Sequence, residues 1–171
     1  PTLQGNIQKV RETLGNSNDL VIRTIQIGKV RKRQVGIFYL DGLVDNQTIE
    51  KGILKSLLSD IQGTEMEEKI SRNPLPHLKE SVLSVGSLKD ITDLNALFSS
   101  LLSGETVLLI DGCENGIALS TVGGEQRAVT EPVTQTVVRG PQYAFTENIH
   151  TNVSLIRRII KDPNLWLETK T

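Results

Sequence analysis

The chain has 171 residues, of which 37% are hydrophobic and 23% are charged, and its formal net charge at pH 7 is −1. This length and balance are typical of one globular domain with a sizeable core, which excludes disordered and fibrous classes. The near-zero net charge excludes a global attraction to nucleic acid or to anionic membranes, so we expect no nucleic-acid partner. The single cysteine, Cys113, excludes an intrachain disulfide and a thiolate metal cluster.

The sequence carries no targeting signal that we can identify. No stretch approaches the roughly 18–20 apolar residues that a membrane-spanning helix needs. The beginning of the chain is neither basic nor followed by an apolar core, and its first residue is Pro1 rather than Met. We therefore expect residues 1–171 to be a soluble domain of a longer protein.

The first half of the chain alternates helical and extended hydrophobic patterns. Residues 35–40 are apolar on both faces, as expected of a central strand that is covered on both sides. The predicted elements are, in order, a helix over 6–14, strands over 20–27 and 35–40, a helix capped by Asp45, a loop over 71–78 and a short strand over 82–85.

The second half continues this alternation and ends on a helix. We expect the apolar stripe Ile149, Val153, Ile156 and Ile160 to form the buried face of that helix. The predicted elements are a helix capped by Asp90, strands over 106–110 and 117–122, a β-prone run over 134–139, a helix capped by Thr146 and a strand over 165–167.

Strands that alternate with helices indicate crossover connections, and crossovers join parallel strands. We therefore predict a three-layer α/β domain with a mostly parallel sheet, helices on both faces and antiparallel hairpin additions. Residues 163–169 resemble residues 18–24. This similarity predicts a second, related subdomain after the chain.

Asp41 and Asp111 are the strongest enzymatic candidates, because each follows a predicted buried strand and precedes a glycine. Ligands bind at the carboxyl ends of parallel strands, and two carboxylates there could hold Mg²⁺ or accept a phosphoryl group. The alternative is that each aspartate makes a turn with the glycine that follows it. No third carboxylate at ligand spacing accompanies them, which favours the turn.

Other reactive side chains give weaker indications. His77 and His150 lack the spacing of metal ligands, so we predict no metal site and no cofactor. Cys113 is interpreted as a free surface thiol, because no neighbour in the sequence would activate it. The basic run over 29–33 is interpreted as a solvated hairpin turn rather than a phosphate site.

A segment that combines a rigid proline, an arginine and a helix start points to a contact site. Arg139 precedes Gly140 and Pro141, so it lies at a bend between a β-prone run and the last helix. Its guanidinium could pair with Glu131 or Glu147 and lock the bend, or it could meet an anionic partner. We expect these five residues, with Asp41 and Asp111, to be the contact residues for a ligand or another subunit.

Several blocks of this chain resemble the A subunits of GerA-type spore germinant receptors. The blocks are, in order, YLDGLVD (39–45), SGETVLLIDG (103–112), EP (131–132), VVRGP (137–141), FTENI (145–149), TNVSLIRR (151–158) and IKDPNL (160–165). Gln142, Tyr143 and Ala144 replace a stretch that carries an Arg-Glu pair in the family, and His150 stands where the family often has Arg.

The resemblance implies a soluble N-terminal domain that is followed by a membrane region in the spore inner membrane, on the spore-core side. It further implies B and C subunits and other A subunits as partners, a role in nutrient sensing, and no enzymatic activity. Our first hypothesis is a non-catalytic signalling and assembly domain. The alternatives are a cleft near Asp41 and Asp111 that binds a nutrient germinant or another metabolite, and a Mg²⁺-dependent phosphotransfer enzyme.

Overall fold

The computed structural model describes residues 2–28, 32–61, 65–123, 145 and 147–170. Five helices and five strands lie in these ranges, together with the π-helical stretches Thr48–Leu54 and Ser56–Asp60. The helices and strands are α1 (Leu3–Thr13), β1 (Leu20–Ile27), β2 (Arg33–Leu40), α2 (Glu65–Arg72), α3 (Pro74–Val82), β3 (Leu88–Ile91), α4 (Leu94–Leu102), β4 (Thr106–Ile110), β5 (Gly116–Leu119) and α5 (Ile149–Ile159).

The strands form one sheet in the order β1-β2-β4-β5-β3, and every neighbouring pair in it is antiparallel. The predicted mostly parallel sheet is therefore wrong. Two short connections, β1 to β2 and β4 to β5, make hairpins, and hairpin neighbours must run in opposite directions. β3 and β4 do run in the same direction, but β5 lies between them, so α4 crosses over without creating a parallel pair.

Helices cover both faces of this sheet, which explains why β2 is apolar on both sides. Ile37 and Tyr39 of β2 pack with α2, α3 and the π-helical stretches. Phe38 and Leu40 alternate with them along the strand and pack with α1 and α4 on the opposite face. The sheet thus lies between two hydrophobic clusters.

The region between β2 and α4 differs most from the sequence-based expectation. The predicted loop over 71–78 is wrong, because α2 and α3 occupy it and Pro74 lies in the first turn of α3, where a proline is tolerated. The predicted strand over 82–85 is also wrong, since the edge strand is β3. Asp93, rather than Asp90, caps α4 by accepting a hydrogen bond from the Ala96 amide at 2.8 Å.

The end of the described chain contains a helix and an extended segment. Asn148 caps α5 by accepting hydrogen bonds from the amides of His150 and Thr151. The predicted cap, Thr146, lies outside the described residues. The predicted strand over 165–167 is wrong, because these residues belong to no sheet in the described part of the chain.

Candidate functional site

Asp41 and Asp111 lie at opposite ends of the sheet. The Asp111 amide donates to the Gln34 carbonyl at 2.9 Å, next to the start of β2, whereas Asp41 directly follows the end of that strand. Asp41 lies seven positions after Gln34 along extended chain, which corresponds to about 20 Å. The antiparallel order of β2 and β4 therefore prevents these two carboxylates from forming one site.

Each aspartate makes a structural contact where it lies. Asp111 Oδ1 accepts a hydrogen bond from the Leu3 amide at 2.9 Å, which satisfies a free donor in the first turn of α1. Asp41 Oδ1 accepts from the Gly42 amide at 3.0 Å and from Asn46 Nδ2 at 3.3 Å, within the turn that follows β2. The turn interpretation describes Asp41, and Asp111 additionally anchors a helix that is distant in sequence.

The predicted contact segment lies mostly outside the described residues. Glu131, Arg139, Gly140 and Pro141 lie outside the described residues. Glu147 is exposed and directly precedes the residue that caps α5. The interpretation of Arg139 as the lock of a bend stays a prediction.

In the part of the chain that the structure describes, the cysteine and histidine side chains are not grouped as metal ligands. Burial raises the pKa of the Cys113 thiol, and the nearby Arg33 only partly opposes this effect. The thiolate is therefore disfavoured at neutral pH. His77 Nδ1 lies 3.5 Å from Glu80 Oε2 on the same helix. Among the described residues, no group of three or more His, Cys, Asp or Glu side chains is placed to hold a metal ion.

A pocket of about 170 Å³ opens between the first turns of α1 and α4 and the β4–β5 turn. Leu97 and Leu109 contribute apolar side chains, and Asn6, Asp93 and Glu114 contribute polar ones. Neither Asp41 nor Asp111 lines it. The metabolite cleft that the sequence predicted around those two residues is therefore not this pocket.

One buried polar cluster in the described part of the chain was not predicted from the sequence. Arg157 is only 2% exposed, and its guanidinium makes two hydrogen bonds to the Asp19 carboxylate, at 2.7 Å from Nε and 2.9 Å from Nη2. Ser17 Oγ accepts from the same Nη2 at 2.9 Å and donates to Asp19 Oδ1 at 2.5 Å. We call Arg157, Asp19 and Ser17 the Arg157 cluster.

The Arg157 cluster fastens the C-terminal segment, residues 163–170, to the turn before β1. Arg157 Nη1 donates to the Leu165 carbonyl, and the Leu167 amide donates to Ser17 Oγ at 2.6 Å. The Asn18 amide donates to the Leu167 carbonyl at 3.0 Å. Arg157 thereby joins α5 and the segment that follows it to a turn 138 residues earlier in the sequence. Asn18, in one of the two segments with similar sequences, contacts Leu167 and Thr169 in the other.

Two glycines permit close packing around this cluster. Gly15 has φ +58° and lies against the Trp166 ring, while Gly42 has φ +82° and lies against the Ser154 hydroxyl. A Cβ at either position would overlap these side chains, and the positive φ disfavours other residues. The Asp-Gly pair at 41–42 is therefore a packing point for α5.

The burial of Arg157 was not predicted, because a basic residue near the C-terminal end of a helix complements the helix dipole and needs no buried partner. One available signal was position, because Arg157 lies four residues after Val153 and thus next to the apolar stripe. The position of Asp19 gave no signal of burial, because the stretch 15–19 has the composition of an exposed turn.

Within the ranges that the structure describes, no helix is long and apolar enough to cross a membrane. The arrangement is one of a buried ion pair, capped helices and an open pocket. The comparisons with known proteins agree with the family that the sequence blocks indicated.

Residues 8–171 match the family described as Bacillus/Clostridium GerA spore germination protein. Spore germination protein KA of Bacillus subtilis is 39% identical over 170 residues, which cover 98% of this chain and 30% of that protein. Spore germination protein B1 of the same organism is 30% identical, over 99% of this chain and 33% of that protein. The chain thus spans about a third of the length of these relatives.

The fold agrees with a solved structure of the same kind. The N-terminal domain of the A subunit of the Bacillus megaterium spore germinant receptor GerK3 superposes with a TM-score of 0.74 and is 34% identical. The superposition covers 98% of this chain and 58% of the GerK3 chain. The resemblance identified from the sequence blocks is confirmed: the chain belongs to the GerA family of spore germination proteins.

Proposed function

We propose that this chain is a non-catalytic signalling and assembly domain in the A subunit of a nutrient germinant receptor. One observation carries the proposal: nearly the whole chain matches the N-terminal domain of a germinant receptor A subunit in both sequence and fold. The relatives named as spore germination proteins support the same role.

The partners we propose are the B and C subunits of the receptor and further A subunits. The complete protein would reside in the spore inner membrane, with this domain on the spore-core side. Because the chain spans about a third of its curated relatives, these are proposals about the longer protein.

The positions of the two candidate carboxylates support a non-catalytic role. A Mg²⁺-dependent phosphotransfer centre needs its carboxylates close enough to share a metal or a phosphoryl group. Asp41 and Asp111 lie about 20 Å apart along the sheet, and each accepts hydrogen bonds from the backbone. Their geometry suits turns and helix capping rather than joint catalysis.

Co-purification from spores tests the proposed assembly. An affinity tag on the full-length A subunit should retain the B and C subunits after mild detergent extraction. The matched variants are Arg139→Ala, at the proposed contact, and Arg72→Ala, which removes an exposed arginine of α2. We expect Arg139→Ala to reduce the recovered B and C subunits or the level of the A subunit, and Arg72→Ala to change neither.

Two results would count against the proposal at different levels. Recovery of the A subunit without B or C, under conditions that retain another receptor's subunits, would contradict the assembly role itself. Full recovery with both variants would remove Arg139 from the contact and leave the assembly role standing.

A further inference from the structure

The pocket between the first turns of α1 and α4 and the β4–β5 turn combines a buried apolar floor with an exposed polar rim. Ile91, Leu97 and Leu109 form the floor, and all three are buried in the hydrophobic cluster on this face of the sheet. The polar lining residues are partly or fully exposed, and they are Asn6, Thr92, Asp93 and Glu114. We call this cavity the α4 pocket.

The α4 pocket has room for a small organic molecule. Its volume is about 170 Å³, whereas a cavity of roughly 150 Å³ is enough to hold one benzene molecule. An occupant of about six non-hydrogen atoms therefore fits. Contact between its apolar part and the floor would remove apolar surface from water, which favours binding.

A glycine keeps space free at the floor of the α4 pocket. A Cβ at Gly116 would lie 2.4 Å from Leu109 Cδ2 and 2.7 Å from the Leu108 carbonyl oxygen, with Ile91 Cβ at 3.7 Å. The φ of Gly116 is not positive, so the backbone conformation does not require a glycine there. The space beside Leu109 and Ile91 accounts for this residue instead.

The rim of the α4 pocket carries negative charge. Asp93 and Glu114 supply two carboxylates, and no basic side chain of the described ranges lines the pocket. Asp93 accepts one hydrogen bond at each oxygen, from the Ala96 amide at 2.8 Å and from the Thr92 hydroxyl at 3.3 Å. Each carboxylate oxygen can accept a second one. A cation at the rim is therefore attracted and an anion is repelled.

Two further polar side chains at the rim can bond to an occupant. Within the part of the chain that the structure describes, Asn6 and Glu114 make no side-chain hydrogen bond or ion pair. An ammonium group has three donors and no acceptor, which matches the carboxylates of Asp93 and Glu114 and the amide oxygen of Asn6. Hydrogen bonds between charged groups are stronger than those between neutral groups.

We propose that the α4 pocket binds a small primary alkylammonium ion. Its alkyl group lies on the floor formed by Ile91, Leu97 and Leu109, and its ammonium group lies at the rim between Asp93 and Glu114. A ligand that also carries a carboxylate, such as an amino acid, is disfavoured by the charge of the rim. The inference goes beyond the proposed function and does not depend on it, because no proposed subunit-contact residue lines this pocket.

Methyl NMR of the full-length A subunit in detergent micelles tests the proposal. The probe is 3-methylbutylammonium, a branched amine of the size that the pocket admits. The reporters are the methyl signals of Ile91, Leu97 and Leu109, which line the floor. Ile53 is the reference signal, because it is buried in the other hydrophobic cluster, on the opposite face of the sheet.

We expect the three floor signals to shift saturably, with a dissociation constant in the low millimolar range for so small a ligand, while Ile53 stays unchanged. The alcohol 3-methyl-1-butanol has the same shape without the charge, and we expect it to bind about fivefold more weakly, as for the loss of one partly exposed ion pair. The anion 4-methylpentanoate and L-leucine should bind more weakly still.

Matched variants locate the ammonium group. Glu114→Gln combined with Asp93→Asn should weaken binding of the amine at least about fivefold and leave binding of the alcohol unchanged. Asparagine retains the cap of α4, so the double variant should fold. The control is Glu68→Gln, which removes an exposed carboxylate of α2 and should change neither affinity.

Four outcomes would overturn the proposal. Without a saturable shift of the floor signals, the α4 pocket would be a packing gap only. Equal affinity for the amine and the alcohol would remove the role of the carboxylates, and so would an unchanged affinity in the double variant. Binding of L-leucine as tight as that of the amine would assign the pocket to another ligand class. None of these results affects the co-purification test, so the two proposals can fail separately.

Discussion

Replacement of Arg157 by methionine should destabilise this domain more than any other single change on α5. The substitution keeps an unbranched side chain of similar length but removes the guanidinium, and it leaves the Asp19 carboxylate buried without its counter-charge. Breaking a buried ion pair from one side costs about 3–5 kcal/mol, because the remaining charge is desolvated and unpaired. The contact between Arg157 and the Leu165 carbonyl is lost too, so the C-terminal segment should detach.

Urea unfolding followed by circular dichroism measures this loss as a difference in the free energy of unfolding. Arg158→Met is the matched control, because Arg158 is the next residue on the helix, is partly exposed and makes one hydrogen bond to a carbonyl. We expect the control to cost no more than about 1.5 kcal/mol.

A double variant separates the ion pair from general damage to the helix. Asp19→Leu combined with Arg157→Met removes both charges, so no uncompensated charge stays buried. The double variant should therefore be more stable than the sum of the two single losses predicts. A loss below about 1 kcal/mol in Arg157→Met, or simple additivity in the double variant, would refute the reasoning.

Three further changes probe one hydrogen bond and two packing contacts of the fold. Asp111→Ala should cost about 0.5–2 kcal/mol in urea unfolding, because the Leu3 amide loses its acceptor, while Asp111→Asn should retain most of the stability. Leu97→Ala should cost about 2–5 kcal/mol, since this side chain is buried between α4 and the sheet, and an unchanged melting temperature would show that its packing is misplaced. Gly42→Ala should cost about 1–3 kcal/mol through its positive φ and its overlap with Ser154; failure of Ser154→Ala to recover any of that loss would rule out the overlap.

The sequence allowed several elements to be predicted because their patterns are local. β1 was predicted over the residues that form it, and β2 and β4 were recognised from continuous apolar runs bounded by Asp-Gly pairs. Such runs report burial on both faces, which the two hydrophobic clusters explain.

The direction of the strands could not be inferred in the same way. A helix between two strands requires a parallel pair only when the strands are neighbours, and β5 lies between β3 and β4. The order of strands depends on long-range pairing, which leaves no periodic pattern in one sequence. The prediction of one site formed by Asp41 and Asp111 was wrong for the same reason, because it assumed that β2 and β4 run in the same direction.

The Arg157 cluster was also beyond local patterns. Its members Asp19 and Arg157 are 138 residues apart, and each lies in a sequence context typical of exposed residues. The apolar stripe of α5 was recognised correctly as a pattern but assigned to the wrong environment, since a stripe predicts burial without saying against what. Ile149 and Ile160 of this stripe are 67% and 46% exposed.

The most direct test of the central claim, that the chain acts in nutrient-triggered germination, is the response of spores that lack its gene. The strain should carry no other nutrient receptor, and germination should be followed as the loss of optical density after addition of nutrients. We predict that deletion abolishes this response, that the full-length gene restores it, and that a non-nutrient stimulus still germinates the deleted spores. Normal nutrient germination of the deleted spores would contradict the account.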